Sequence, residues 1–230
     1  MQIEIKYGPS YALAIVNLEK DEEVISESGA MVSMDSHVKI ETSAGKKDQG
    51  ALGGLMSGLK RMVAGESFFQ NRFRAEGKSG EVTFAPTFVG DMDKHELNDS
   101  TLLIQSKSFV CSGVGVDLNS KWGGGKTFFG GEGFILLKAS GSGPIVFNAF
   151  GGIRKIEIDG SFTVDTGHIV AFEETLTFKV ERFGGGWKSF IFGGEGLVCH
   201  FTGKGTLWIQ TRNPQEFGQF LGSKLPMRNR

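Results

Sequence analysis

Cysteine is scarce in this chain: Cys111 and Cys199 are the only two, each inside an apolar run. Two thiols among 230 residues cannot frame a disulfide scaffold, so both are expected to be buried free thiols in a reducing compartment. An excess of one charge is missing too. Lys and Arg number 25 against 26 Asp and Glu, a formal net charge of −1 with a pI near 6.4. That balance leaves neither the basic footprint that phosphate-driven nucleic-acid binding needs nor an acidic tail. Nor does any apolar run approach the ~18–20 residues of a membrane-spanning helix. The N-terminus has no basic region followed by an apolar one, as a secretory signal would. Met1-Gln2-Ile3-Glu4-Ile5-Lys6-Tyr7 alternates like a strand instead, and the expected location is the cytoplasm.

Motifs of known chemistry are equally thin. The histidines His37, His95, His168 and His200 are scattered, whereas a cupin-type metal site needs His-x-His and a carboxylate converging on one ion. No Gly-x-Ser-x-Gly elbow, Walker pattern or helix-opening Gly-x-Gly-x-x-Gly is present. The reading is therefore non-enzymatic, with no catalytic, cofactor or metal residues assigned.

What the chain has in quantity is glycine and phenylalanine, 35 and 20 residues. The glycine content is roughly twice ordinary usage. The glycines sit in pairs and triplets between apolar runs, which marks hairpin turns. One motif occurs three times: Phe129-Gly130-Gly131-Glu132-Gly133, Phe192-Gly193-Gly194-Glu195-Gly196 and, in worn form, Val63-Ala64-Gly65-Glu66-Ser67. Each copy leads into an apolar run, a Gly-rich turn and a second apolar run. These second runs align: Val82 and Phe84 with Ile145 and Phe147, and with Leu207 and Ile209. Period-two geometry puts the six on one face, with Thr83, Val146 and Trp208 on the other. The expected fold is all-β: a single sandwich- or barrel-like domain over residues 1–230, made of three pseudo-threefold modules at about 10–86, 87–148 and 149–212. Equivalent apolar side chains of the three modules are expected to meet in one common interior.

The modules differ in what joins their halves. In the first, Leu52, Leu55, Met56, Leu59, Met62 and Val63 have helical spacing, so a short helical insertion is predicted. It would dock on its own domain, contact another copy, or lie on a membrane surface. In the second and third the joins are Gly-rich tips carrying Trp122 and Trp187. These fold back as lids or contact a partner chain, a lipid headgroup or a stacked base. The glutamates Glu66, Glu132 and Glu195 either accept hydrogen bonds within their own glycine turns or converge near the symmetry axis, where they would need a cation or a partner's basic group. After Thr211 the pattern stops. Asn213-Pro214 signals a helix start, and a short helix with Phe217, Phe220 and Leu221 on one side is predicted within the 213–230 tail.

The threefold Gly-Gly-Glu-Gly repeat, the Gly-rich insertion before Ala64-Gly65-Glu66-Ser67-Phe68-Phe69 and the closing Trp208-Ile209-Gln210-Thr211-Arg212 together resemble the altered-inheritance-of-mitochondria family. The prokaryotic members of that family are mostly uncharacterised, and its mitochondrial members are linked to inner-membrane organisation. The resemblance implies three fused copies of the fold of the tryptophan RNA-binding attenuation protein about a pseudo-threefold axis. It supplies no catalytic residues. Three functions follow from the residues and the resemblance together. The first is a β scaffold that forms a homo-oligomer and binds a protein or membrane-surface partner. The second is a nucleic-acid or small-ligand module by analogy with the attenuation protein, with nucleic acid disfavoured by the charge. The third is a metal-dependent small-barrel enzyme.

Overall fold

A computed structural model describes residues 1–43, 70–119, 136–182 and 197–226. The first third of the chain forms β1 (Gln2–Lys6), β2 (Leu13–Leu18), β3 (Glu23–Glu27), β4 (Met31–Met34), β5 (Val38–Ser43), β6 (Gln70–Ala75) and β7 (Gly80–Phe84). The middle third forms β8 (Met92–Gln105), a 3-10 turn at Ser106–Ser108, β9 (Phe109–Gly113), β10 (Val116–Asn119) and β11 (Leu136–Asn148). The last third repeats that order with β12 (Ile153–Asp165), a 3-10 turn at Thr166–His168, β13 (Ile169–Glu173), β14 (Thr177–Arg182) and β15 (Leu197–Gln210). Among the described residues one α-helix, α1 (Pro214–Gly222), follows. The fold is thus all-β with a short C-terminal helix, as the residue pattern predicts.

Local chemistry accounts for these elements. Along β2, Ala14, Val16 and Leu18 are buried and the residues between them are not, the period of a strand with one face on a core. The start of α1 is set by Asn213, whose Oδ1 accepts from the backbone N–H of Gln215 at 3.0 Å, with Pro214 in the first turn, where its missing N–H costs nothing. The N-terminal halves of β8 and β12 carry Asp93-Lys94-His95-Glu96 and Arg154-Lys155-Ile156-Glu157 and look like loops by composition. They are strands because each is hydrogen-bonded along its length to an apolar partner, β11 or β15.

The strands form a four-stranded sheet, β1-β2-β7-β4, and a larger one, β12-β15-β13-β8-β11-β9-β3-β6-β5, with β10 on β11 and β14 on β15. One pairing register recurs. Met31, Ser33 and Met34 face Phe84, Thr83 and Val82. Phe109, Cys111 and Ser112 face Phe147, Val146 and Ile145. Ile169, Ala171 and Phe172 face Ile209, Trp208 and Leu207. Each pairing slips at a valine (Val32, Val110, Val170) that has no opposite number. Such a bulge turns the strand and sharpens its twist.

The core does not have the predicted common interior. Val82 and Phe84 belong to one apolar cluster, Ile145 and Phe147 to a second, and Leu207 to a third against which Ile209 packs. The clusters lie where one third of the chain meets the next. Val110, Cys111 and Val146 of the middle third complete the first cluster, and Val170, Ala171 and Trp208 of the last third complete the second. The side chains on the opposite face, Thr83, Val146 and Trp208, are therefore buried as well. A strand packed on both faces loses its polar alternation, which is why the opposite parity reads as mixed.

Close approach between linkers holds the thirds together. Ala12 N–H donates to Gly90 O at 3.0 Å, and Gly151 N–H to Val89 O at 3.0 Å. A Cβ on Gly90 would lie 2.1 Å from Ala149 O and 2.4 Å from Gly151 O, so only glycine fits there.

Candidate interaction surface

The residues singled out by the sequence for partner contact, Leu52, Leu55, Met56, Leu59, Trp122 and Trp187, lie outside the described residues. So do the repeated glutamates Glu66, Glu132 and Glu195 and the predicted helical insertion. Cys111 and Cys199 are free and buried. Burial pushes the Cys199 thiol up to about 12 and raises that of Cys111 further; neither forms a thiolate near neutrality. The histidines serve local contacts: His37 Nε2 meets Ser79 O at 2.9 Å, His168 Nδ1 meets Gln210 O at 2.8 Å, and His200 Nδ1 meets Thr163 Oγ1 at 2.7 Å. Among the described residues no group of three His, Cys, Asp or Glu is placed to hold a metal.

A polar cluster surrounds Trp208, which projects from β15 onto β8 and β11. Its Nε1–H donates to Asp93 Oδ2 at 2.9 Å. Phe147 and His95 stand edge-on to the indole, with centroids at 5.5 and 5.2 Å. Lys155 Nζ lies 5.5 Å from the ring centroid. Beside it, the backbone N–H and hydroxyl of Thr206 donate to Glu173 Oε2 at 2.9 Å and Glu157 Oε2 at 3.0 Å. Burial lowers the pKa of His95, against the opposing charge of Glu173, so this imidazole is neutral at pH 7. Asp93 and the two glutamates each accept from a donor fixed by a strand. The arrangement binds the last third of the chain to the middle third and is a structural clasp. The sequence hint was slight: of the three tryptophans, Trp208 alone stands in an apolar run and not at a glycine tip.

Among the described residues, two sheet edges are open at places whose equivalents elsewhere in the chain are paired. β9 and β13 are each paired on both sides. β9 meets β3 through Gly113↔Val24, Ser112↔Ile25 and Cys111↔Ser26. β13 meets β8 through Glu173↔Leu102, Phe172↔Leu103 and Ala171↔Ile104. β4 occupies the same place on β7 that β9 and β13 occupy on β11 and β15, yet among the described residues it pairs with β7 alone. All four of its residues are exposed, Val32 at 57 % and Met34 at 38 %. Likewise, among the described residues, β12 pairs only with β15, whereas β3 and β8 each carry a strand on both sides. Natural edges are usually guarded by charge or proline. The edge at β5 has Lys39 and Glu41, but Met31-Val32-Ser33-Met34 has no such guard. A second exposed apolar feature is α1. Phe217 leans on Phe150 at 5.1 Å, while Phe220 at 59 % and Leu221 face outward beside Lys224.

A family model described as Mitochondrial biogenesis AIM24 matches residues 3–212. The chain belongs to this family. The AIM24 match ends at Arg212, just before α1. An uncharacterised protein of Streptococcus pyogenes serotype M6 is 30 % identical over 230 residues, covering 98 % of this chain and 92 % of that one. A crystal structure of another Streptococcus pyogenes protein superposes with a TM-score of 0.80 at 27 % identity, covering 97 % of this chain and 99 % of that one. The fold of this AIM24 member is thus shared nearly end to end with that solved structure. Among the described residues no helix is long and apolar enough to cross a membrane.

Proposed function

We propose that this member of the AIM24 family is a non-enzymatic cytoplasmic scaffold of three copies of one β unit, related to the attenuation-protein fold, which self-associates and presents a surface to a protein or membrane-surface partner. The open edge of β4 carries this reading: an apolar strand is exposed at a position where both equivalent strands are covered. The recurrent register and the three valine bulges support triplication of a single unit. The exposed Phe220 and Leu221 of α1, beside Lys224, favour a membrane surface as the further partner. A formal net charge of −1 argues against affinity driven by nucleic-acid phosphate.

Light scattering over a hundredfold concentration range tests self-association, and a particle of one chain's mass throughout refutes it. Flotation with anionic vesicles tests the second element. Wild type is expected to float and Phe220→Asp to stay behind; equal behaviour removes the membrane partner from the reading.

A further inference from the structure

We propose that copies of this chain join head to tail, the β4 edge of one adding to the outer edge of the C-terminal half of β12 in the next. The proposal rests on the self-associating reading above and names its interface.

The chain already contains this junction twice. The strand that follows a 3-10 turn or tight turn pairs backwards onto the strand that precedes the equivalent turn in the preceding third: β9 onto β3, and β13 onto β8. Position by position, Ser33 and Met34 of β4 correspond to Cys111 and Ser112 of β9 and to Ala171 and Phe172 of β13, because each pair faces the same residues of its own hairpin. The receiving strands correspond in the same way. β3, β8 and β12 end at Glu27, Gln105 and Asp165, and β4, β9 and β13 begin four residues later in each case. Thr163 and Val164 of β12 therefore stand where Ile25 and Ser26, or Leu103 and Ile104, stand in the junctions already formed. Those junction residues are buried. In β4 and β12 the corresponding positions are exposed or half-exposed. The third junction thus has both of its halves in every chain, unjoined among the described residues.

Chemistry matches as well as position. The two central pairs are uncharged, with Ser33 and Met34 on one side and Thr163 and Val164 on the other, and the third pair would set Asp35 against Phe162, as Glu173 already faces Leu102 in the junction of β13 with β8. Open backbone N–H and C=O groups on such a strand are a template for another strand. The register of the existing junctions predicts Ser33 opposite Val164 and Met34 opposite Thr163. Because the two surfaces differ, the contact is heterologous, and repetition gives a ring or a filament.

Met34→Lys and Thr163→Lys each place a charge in one half of the contact at an exposed site, with circular dichroism confirming the fold. Each variant alone is expected to associate at least tenfold more weakly than wild type. Mixed one to one, they retain one intact β4 edge and one intact β12 edge, so the mixture is expected to form particles of two 24.9 kDa chains and nothing larger. A second measurement is independent of any loss of stability. Chains carrying Ser33→Cys, mixed with chains carrying Val164→Cys, are expected to give a two-chain disulfide band under mild oxidation. Ser33→Cys with Asp159→Cys, out of register, is expected to give none. Wild type that stays a single chain at every concentration overturns both this proposal and the self-association reading. Wild type that associates, with both Lys variants unaffected and no in-register cross-link, overturns this proposal alone. Thr163→Lys chains that still pair without Met34→Lys chains indicate β4 meeting β4, which also overturns it.

Discussion

Trp208 gives the sharpest test of how the thirds are held together. Its side chain is 1 % exposed, donates to Asp93 Oδ2 and fills the space between Phe147 and His95. Truncating a buried tryptophan to alanine costs about 3–5 kcal/mol. A hydrogen bond to a charged group contributes about 1.5–3 kcal/mol. Trp208→Phe keeps most of the packing and deletes the donor, so about 2–3 kcal/mol of destabilisation is expected, and about 5 kcal/mol for Trp208→Ala. Against a total stability of about 5–15 kcal/mol, the alanine variant is expected to be largely unfolded at 37 °C. Urea unfolding followed by circular dichroism reads the difference in free energy, and a thermal melt of Trp208→Phe is expected to fall by about 5–10 °C. A double-mutant cycle with Asp93→Ala, which removes the acceptor, isolates the hydrogen bond and is expected to show coupling of about 1–2 kcal/mol. Trp208→Phe within about 0.5 kcal/mol of wild type, a margin typical of an uninvolved surface site, would refute the clasp.

Burial raises the carboxyl pKa of Glu27 from 4.5 to about 7. The folded state then holds a proton that the unfolded state has released, so stability falls as pH rises from about 4.5 through about 7. Partial solvent access reduces the size of the effect. Glu27→Gln is expected to stabilise the protein by about 1–2 kcal/mol at pH 8 and to do nothing at pH 4; equal curves at both pH values would contradict the burial. Gly90→Ala places a methyl against two carbonyl oxygens and is expected to cost about 3 kcal/mol in urea unfolding, whereas an unchanged midpoint would mean that the linkers are not in contact. Cys111 and Cys199 are expected to resist iodoacetamide at pH 8 in the native protein and to react in urea, with mass spectrometry counting the adducts. Rapid native labelling of Cys111 would show that its strand opens.

The alignment of Val82 with Ile145 and Leu207 was legible in the sequence because a strand alternates its side chains with a period of two. The start of α1 was legible because Asn213 followed by Pro214 both caps and begins a helix. The polar halves of β8 and β12 were not. Their strand state comes from a neighbour's hydrogen bonds, which composition does not encode. Trp208 was recognisable as part of a closing strand but not as a clasp, since Asp93 is far away in sequence and reaches it only after β15 packs on β8.

Sequence alone determined the all-β class, the family, the parity of each closing strand and the place of the terminal helix, all of them set by short-range spacing and local chemistry. Tertiary structure alone decided that three separate cores replace one interior, that Thr83, Val146 and Trp208 are buried, and that β4 and β12 are left open among the described residues. The reason is physical. Alternation states which side chains share a face, but what covers that face depends on how one third of the chain packs on the next.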